Sequence, residues 1–233
     1  MIGIYDYTVW LTYLSLLSAS AGIFVSLSGD GRPFLGAFFL LFCGLCDAFD
    51  GKVASMKKDR TDLGRHYGIQ IDSLSDLVAF GILPASIGAS LFRSSDYFGE
   101  LFEVGDKSWY CILLKTLMFA VLLAYILAAL IRLAYFNVTE EERQKTETGR
   151  RAFYTGLPVT SASLVFPMIL LVIHLVSADL TVLYFAVMLF MAAAFLVKIQ
   201  IKKPGLRGVL LMVGIGAVEF LLIVLFRYLL RIM

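Results

Sequence analysis

Charge is scarce in this chain. Of its 233 residues, 16% are Asp, Glu, Lys or Arg, whereas 60% are hydrophobic. A soluble domain is nearer about a quarter charged and about half apolar, so the excess apolar surface must face something other than water. The net charge is only +2, too small to argue for a nucleic-acid partner. Cysteine is also sparse: Cys43, Cys46 and Cys111 make no disulfide framework. The Cys43-x-x-Cys46 pair lacks the second ligand pair that a zinc or redox site needs, so it reads as helix packing. His174 has no second histidine near it in the sequence, which argues against metal ligation there. The first residues, MIGIYDYTVW, lack the basic region and small-residue cleavage site of a signal peptide, so the first apolar run is expected to be retained. There is no internal repeat and no low-complexity segment.

What is abundant is long apolar runs. A membrane-spanning helix needs roughly 20 mostly apolar residues, and seven runs qualify, at about 8–28, 33–55, 69–93, 108–136, 157–177, 180–199 and 208–230. The expected fold is all-α: one polytopic helical membrane domain over residues 1–233. Pro33 suits the first turn of the second helix, and Pro204-Gly205 marks a turn before the seventh.

Basic residues set the expected orientation. Lys57, Lys58, Arg60 and Arg65 fall between the second and third runs, Arg143, Lys145, Arg150 and Arg151 between the fourth and fifth, and Lys198, Lys202, Lys203 and Arg207 between the sixth and seventh. The opposite loops carry little besides Arg32, Lys107 and the acidic stretch SSDYFGELFEVGDK. A cytoplasmic N-terminus puts all three basic loops on the cytoplasmic face of a cell membrane, with Met233 outside. The polar stretch 137–156 reads as the longest loop, with room for a short surface helix at the headgroups.

The chemistry is concentrated in residues 46–81, CDAFDGKVASMKKDRTDLGRHYGIQIDSLSDLVAFG. Asp47 and Asp50, three apart, share one helix face; Asp72 and Asp76, four apart, share a face of the next helix. A short basic loop joins the two helices and makes them antiparallel neighbours. An ionised Asp within a spanning helix costs roughly 2.5–3.5 kcal/mol at the bilayer centre, and carboxylates facing one another repel. A shared Mg²⁺ or Mn²⁺ removes that repulsion, and such a cation commonly bridges carboxylates to substrate phosphates. Gly51 and Gly68 let a ligand approach the backbone. Residue types and spacing thus point to phosphoryl chemistry at a membrane surface, against the alternative of aspartates that cap helices or pair with Lys52, Lys57 or Arg65.

Asp47-x-x-Asp50-Gly51-x-x-Ala54 followed by Gly68-x-x-x-Asp72-x-x-x-Asp76 resembles the signature of the CDP-alcohol phosphotransferases. Ser55 stands where that pattern has Arg, and the spacer to Gly68 is longer than usual. The segments from Asp76 to Pro84, from Arg132 to Asn137, and Phe153 to Pro158 resemble those of the serine-using branch. The resemblance spans residues 46–158 and implies a six-helix core, so the seventh run is extra. It implies that Asp47, Asp50 and Asp72 hold two Mg²⁺ or Mn²⁺ ions with Asp76 beside them, and that Asp76 is the general base on the acceptor hydroxyl. Gly51, Ala54, Lys52, Ser55 and Gly68 become the CDP-lipid positions, with Lys52, Lys57 or Arg65 standing in for the missing Arg. CDP-diacylglycerol and L-serine become the substrates, and a homodimer the expected assembly.

Two readings are open for Arg132: a cation for serine, or a side chain that snorkels to anchor its helix. Asn137 either binds serine or caps a helix end. Arg150 and Arg151 either attract headgroups or simply line a cytoplasmic loop. Glu219, in VGIGAVEFLLIV, is read as a packing or dimer contact beside Gly214 and Gly216. Competing functions are the same chemistry with glycerol 3-phosphate or an inositol compound, a divalent-cation transporter, and an inactive relative without the Arg at position 55.

Overall fold

The computed structural model describes residues 3–28, 31–57, 59, 61–95, 98, 109–146, 153–176, 179, 181–202 and 206–232. The described residues form an all-α bundle of α1 (Trp10–Leu27), α2 (Pro33–Met56), α3 (Asp62–Asp76), α4 (Leu83–Ser94), α5 (Trp109–Thr146), α6 (Ala162–Val176), α7 (Thr181–Leu196) and α8 (Leu206–Ile232). A π-helical segment, Leu77–Ile82, joins α3 to α4 without a break. Among the described residues, six stretches are long and apolar enough to cross a membrane: Tyr7–Leu27, Pro33–Met56, Asp62–Ser94, Ile112–Lys145, Val159–Val176 and Gly208–Leu225. Thr181–Leu196 is apolar but shorter. The chain is therefore a multi-pass membrane protein. Lys58, Arg60, Lys107, Arg150, Arg151, Lys203 and the acidic stretch from Asp96 lie outside the described residues, except for Phe98, as do the side chains of Cys111 and Arg207.

Two expectations need correction. α5 does not end near Phe136 but runs on to Thr146. Hydropathy falls at Asn137, yet TEEERQKT consists largely of good helix formers and is braced by Glu140–Arg143 at 2.6 Å and Glu141–Lys145 at 3.6 Å. The end of the apolar run marks where the helix leaves the apolar layer, not where it stops. The interval from the second run to the third is likewise mostly helical, since α3 begins at Asp62, where Thr61 caps it by accepting from Gly64 N at 3.1 Å.

The packing follows from small residues. Thr12, Ser15, Ser18, Ala19, Gly22 and Ser26 recur every three or four positions on α1 and form its buried face; this lets the α1 and α2 backbones approach closely. Ser18 Oγ donates to Phe39 O at 3.1 Å and Cys43 Sγ to Ser15 O at 3.3 Å. Cys43 and Cys46 are buried and free, as the packing reading expects. Leu40, Phe80, Leu83, Ile87, Tyr125, Phe166, Tyr184 and Met188 fill the centre. Pro84 has no N–H for the carbonyl of Phe80, four residues back. Tyr125 OH supplies the missing donor at 2.7 Å, and Tyr184 OH donates to Pro84 O at 2.9 Å. In an apolar layer without water such a carbonyl must find a partner inside the protein.

A two-stranded antiparallel sheet, unannounced by any alternating pattern, pairs β1 (Phe153–Thr155) with β2 (Gln200–Lys202), Phe153 opposite Lys202. It folds Gly156 onto the end of α7. Gly156 has φ +80°, and a Cβ there would lie 2.9 Å from Phe195 O, so only glycine fits. Its N–H donates to Ile199 O at 2.6 Å and that of Leu157 to Ala194 O at 3.2 Å.

Candidate active site

α2 and α3 meet at the end of the bundle where Lys57 to Thr61 connect them. Asp47 and Asp50 lie in the last turns of α2, one turn apart, and Asp72 sits across from them on α3. One carboxylate oxygen of each of Asp47, Asp50 and Asp72 lies within 4.8 Å of the others. Asp76 stands one turn deeper and is buried. It lies outside the three-carboxylate group.

This donor set fits a small hard cation. An octahedral Mg²⁺ with bonds of about 2.1 Å has neighbouring ligand oxygens about 3 Å apart, which separations of no more than 4.8 Å among the three carboxylates can accommodate. Oxygen donors alone, with no thiolate or imidazole among them, suit Mg²⁺ or Mn²⁺ rather than zinc.

The surroundings are open on the α2 side. A Cβ built on Gly51 would meet nothing within 4 Å, so the bundle's own packing does not demand glycine there. Lys52 and Ser55 are exposed and Ala54 and Gly68 partly so. Ser55 Oγ donates back to Lys52 O at 2.7 Å. Lys57, one of the three cations considered for the missing Arg, is paired with Asp6. That carboxylate also accepts from Thr8 N at 3.2 Å, which ties the N-terminal strap to the α2–α3 connection. Tyr13 OH donates to Ile4 O at 2.8 Å and meets Tyr67 OH at 2.9 Å, and Ser75 Oγ donates to Thr12 O at 3.1 Å. α1 thus braces the helix that carries Asp72 and Asp76. Sequence reasoning missed these residues; polar side chains in α1 were the only signal.

Asn137 is not at a helix end, because α5 continues past it. Its Nδ2 donates to Ser73 Oγ at 2.7 Å, which places α5 beside the segment between Asp72 and Asp76. Arg132 does not snorkel: it is 6% exposed. Its guanidinium donates to Leu157 O at 3.2 Å and to Gly156 O at 3.4 Å and lies 5.6 Å from the Phe136 ring centroid. The buried cation holds the Gly156–Leu157 turn against α5. Glu219 is 2% exposed, and its Oε2 has no hydrogen-bond partner; α8 packs on α2 and α6. His174 stacks edge-on against Phe34, centroids 5.3 Å apart.

The CDP-alcohol phosphatidyltransferase family profile matches residues 8–199. Among curated proteins the chain is similar to a CDP-diacylglycerol–serine O-phosphatidyltransferase of Saccharomyces cerevisiae, 29% identical over 67% of this chain and 51% of that protein. It is also similar to an archaetidylserine synthase of Methanothermobacter thermautotrophicus, 32% identical over 64% and 52% respectively. A third similar protein is a CDP-diacylglycerol–serine O-phosphatidyltransferase of Helicobacter pylori, 26% identical over 67% and 50%. The chain spans about half the length of the curated relatives it matches. No solved structure matches it. With the matched region taking in α1 to α7 and all four aspartates, this chain belongs to the CDP-alcohol phosphatidyltransferase family.

Proposed function

We propose that this protein transfers a phosphatidyl-type group from a CDP-activated lipid to the hydroxyl of L-serine, releasing CMP. The observation that carries the reading is the convergence of Asp47, Asp50 and Asp72 from two neighbouring helices at one end of a membrane bundle. Carboxylates gathered at one end suit an interfacial anionic substrate. A cation path through the membrane needs ligands spread along its depth. Serine is the acceptor because the relatives from yeast, the archaeon and the bacterium are all named for serine products or substrates.

In this reading Asp47, Asp50 and Asp72 hold the divalent ions, Mg²⁺ or Mn²⁺, with Asp76 alongside. When bound, the metal neutralises the diphosphate and stabilises the departing CMP. Gly51, Ala54 and Gly68 leave room for the cytidine diphosphate, with Lys52 and Ser55 at its edge. The serine oxygen attacks the phosphorus attached to the lipid, the P–O bond to CMP breaks, and the hydroxyl proton passes to the Asp76 carboxylate. Burial keeps Asp76 away from bulk water, and the Ser75–Thr12 bond beside it holds its helix in place. Asn137, tied to Ser73, and Arg132, which positions Gly156–Leu157, form the acceptor side. The site faces the cytoplasm, the whole chain acts as one catalytic domain, and the working unit is a homodimer.

The test is CMP release by the purified protein from CDP-diacylglycerol with serine, glycerol 3-phosphate or an inositol phosphate, each with Mg²⁺, Mn²⁺ or EDTA. Metal-dependent phosphatidylserine formation is expected. Turnover with glycerol 3-phosphate and none with serine would reject the acceptor. Metal flux into liposomes without CMP release would reject the reaction.

A further inference from the structure

A diphosphate brought to the carboxylate cluster needs a protein cation beside it, and among the described residues, which leave out Lys58 and Arg60, the local geometry offers few. Position 55 offers none: the Ser55 hydroxyl proton is spent on Lys52 O, so only lone pairs remain, and these repel phosphate oxygens. Lys57 is held by Asp6, whose carboxylate raises the lysine pKa above its ordinary value. The pair is therefore formed throughout neutral pH. Lys52 occupies the wrong face of α2. At about 100° per residue it stands roughly 160° round the helix from the face shared by Asp47, Asp50 and Ala54. Arg143 is bound through two nitrogens to Glu140, at 3.0 and 2.6 Å, with both side chains largely buried.

Arg65 is different. It lies on α3 at the i, i+3, i+7 spacing with Gly68 and Asp72, and Asp76 continues the same face. Arg65 is about 10 Å along the axis from Asp72, towards the open end of the site. On this face Gly68 places no side chain between them. Its pairing with Asp62 is loose, 3.6 Å with the side chains 60% and 90% exposed. Such a surface pair contributes little and exchanges readily for a phosphate. A guanidinium fork also matches phosphate geometry better than an ammonium.

We propose that Arg65 is the cation that binds the diphosphate of the CDP-lipid, so that the charge absent at position 55 of α2 is supplied from the facing helix α3. This rests on the phosphatidyl-transfer reading above.

The test uses the full chain in detergent with Mg²⁺. Arg65→Gln is expected to raise KM for CDP-diacylglycerol by about tenfold or more while leaving KM for serine and Tm unchanged. Adding Ser55→Arg to that variant is expected to recover most of the loss. In a second arm without turnover, CDP raises Tm of the wild type and not of Arg65→Gln, whereas Lys57→Gln responds as the wild type does. An unchanged KM and CDP response in Arg65→Gln overturns the assignment, as does a loss that follows Lys52→Gln instead. A double variant no better than Arg65→Gln overturns the exchange between positions 55 and 65. The arms separate the two claims. If CDP binding depends on Arg65 but no alcohol accepts a phosphatidyl group, the reaction reading fails and the cation stands. If the wild type turns over and Arg65→Gln matches it, the cation fails and the reaction stands.

Discussion

The two halves of α2 serve opposite purposes. Its first half is closed: Gly36, Ala37, Leu40 and Cys43 are buried, and a Cβ on Gly36 would collide with the Ser26 hydroxyl and approach Ile87 Cγ1 to 2.9 Å. A Cβ on Gly44 would likewise run into Ser163. Its second half is open: Asp47 and Asp50 face Asp72 across a gap of cation size, and Gly51 borders empty space. The same residue type serves helix packing at one end and leaves room for a ligand at the other. A glycine in a membrane helix is thus ambiguous until the space beside it is known.

Substitutions can break this comparison. The largest effect is expected at the open end: Asp76→Asn should lower turnover by about 10²–10⁴-fold with Tm unchanged or raised, because one of four mutually repelling carboxylates has gone. Turnover by the wild type should vanish in EDTA and return with Mg²⁺ or Mn²⁺. A fully active Asp76→Asn protein would remove the general base. Next come two identical changes with opposite consequences. Gly36→Ala should destabilise the bundle by about 1–3 kcal/mol through overpacking while sparing activity per folded molecule. Gly51→Ala should gain about 0.5–1 kcal/mol of helix stability and still lose activity. Equal Tm changes in the two variants would erase the distinction between the halves. Tyr125→Phe, which strips the Phe80 carbonyl of its donor, should cost about 1–3 kcal/mol in thermal unfolding and leave metal dependence intact. Smallest of all, Asp6→Asn at the strap should cost below about 1 kcal/mol; a larger fall in Tm would make the strap a structural element in its own right.

Much of the fold was legible because lipid imposes a simple rule: a spanning helix must be long and apolar, and hydropathy reads that directly. The rule fails where a helix continues into water, as α5 does through Glu140 and Arg143, because polarity then ends the signal before the helix ends. The same error made a helix cap one of the two readings of Asn137. The π-helical Leu77–Ile82 and the β1–β2 pair left no trace in periodicity, since each depends on a distant partner: Tyr125 for the first, the end of α7 for the second. Arg132 shows the limit for single residues. A cation near a helix end reads as snorkelling or ligand binding, and its burial against Gly156 and Leu157 could be known only from where the chain returns.

By itself, then, the sequence determined that this chain is a helical membrane protein, that aspartates at matched spacing share helix faces, and which family they resemble. Those facts are local, following from helix period and the exclusion of charge from lipid. Only the tertiary structure decided that Asp47, Asp50 and Asp72 converge while Asp76 stands deeper, that Asp6 occupies Lys57, and that Gly51 faces open space. Each of these is a distance between residues far apart in the chain, set by how small side chains let α1, α2 and α3 close upon one another.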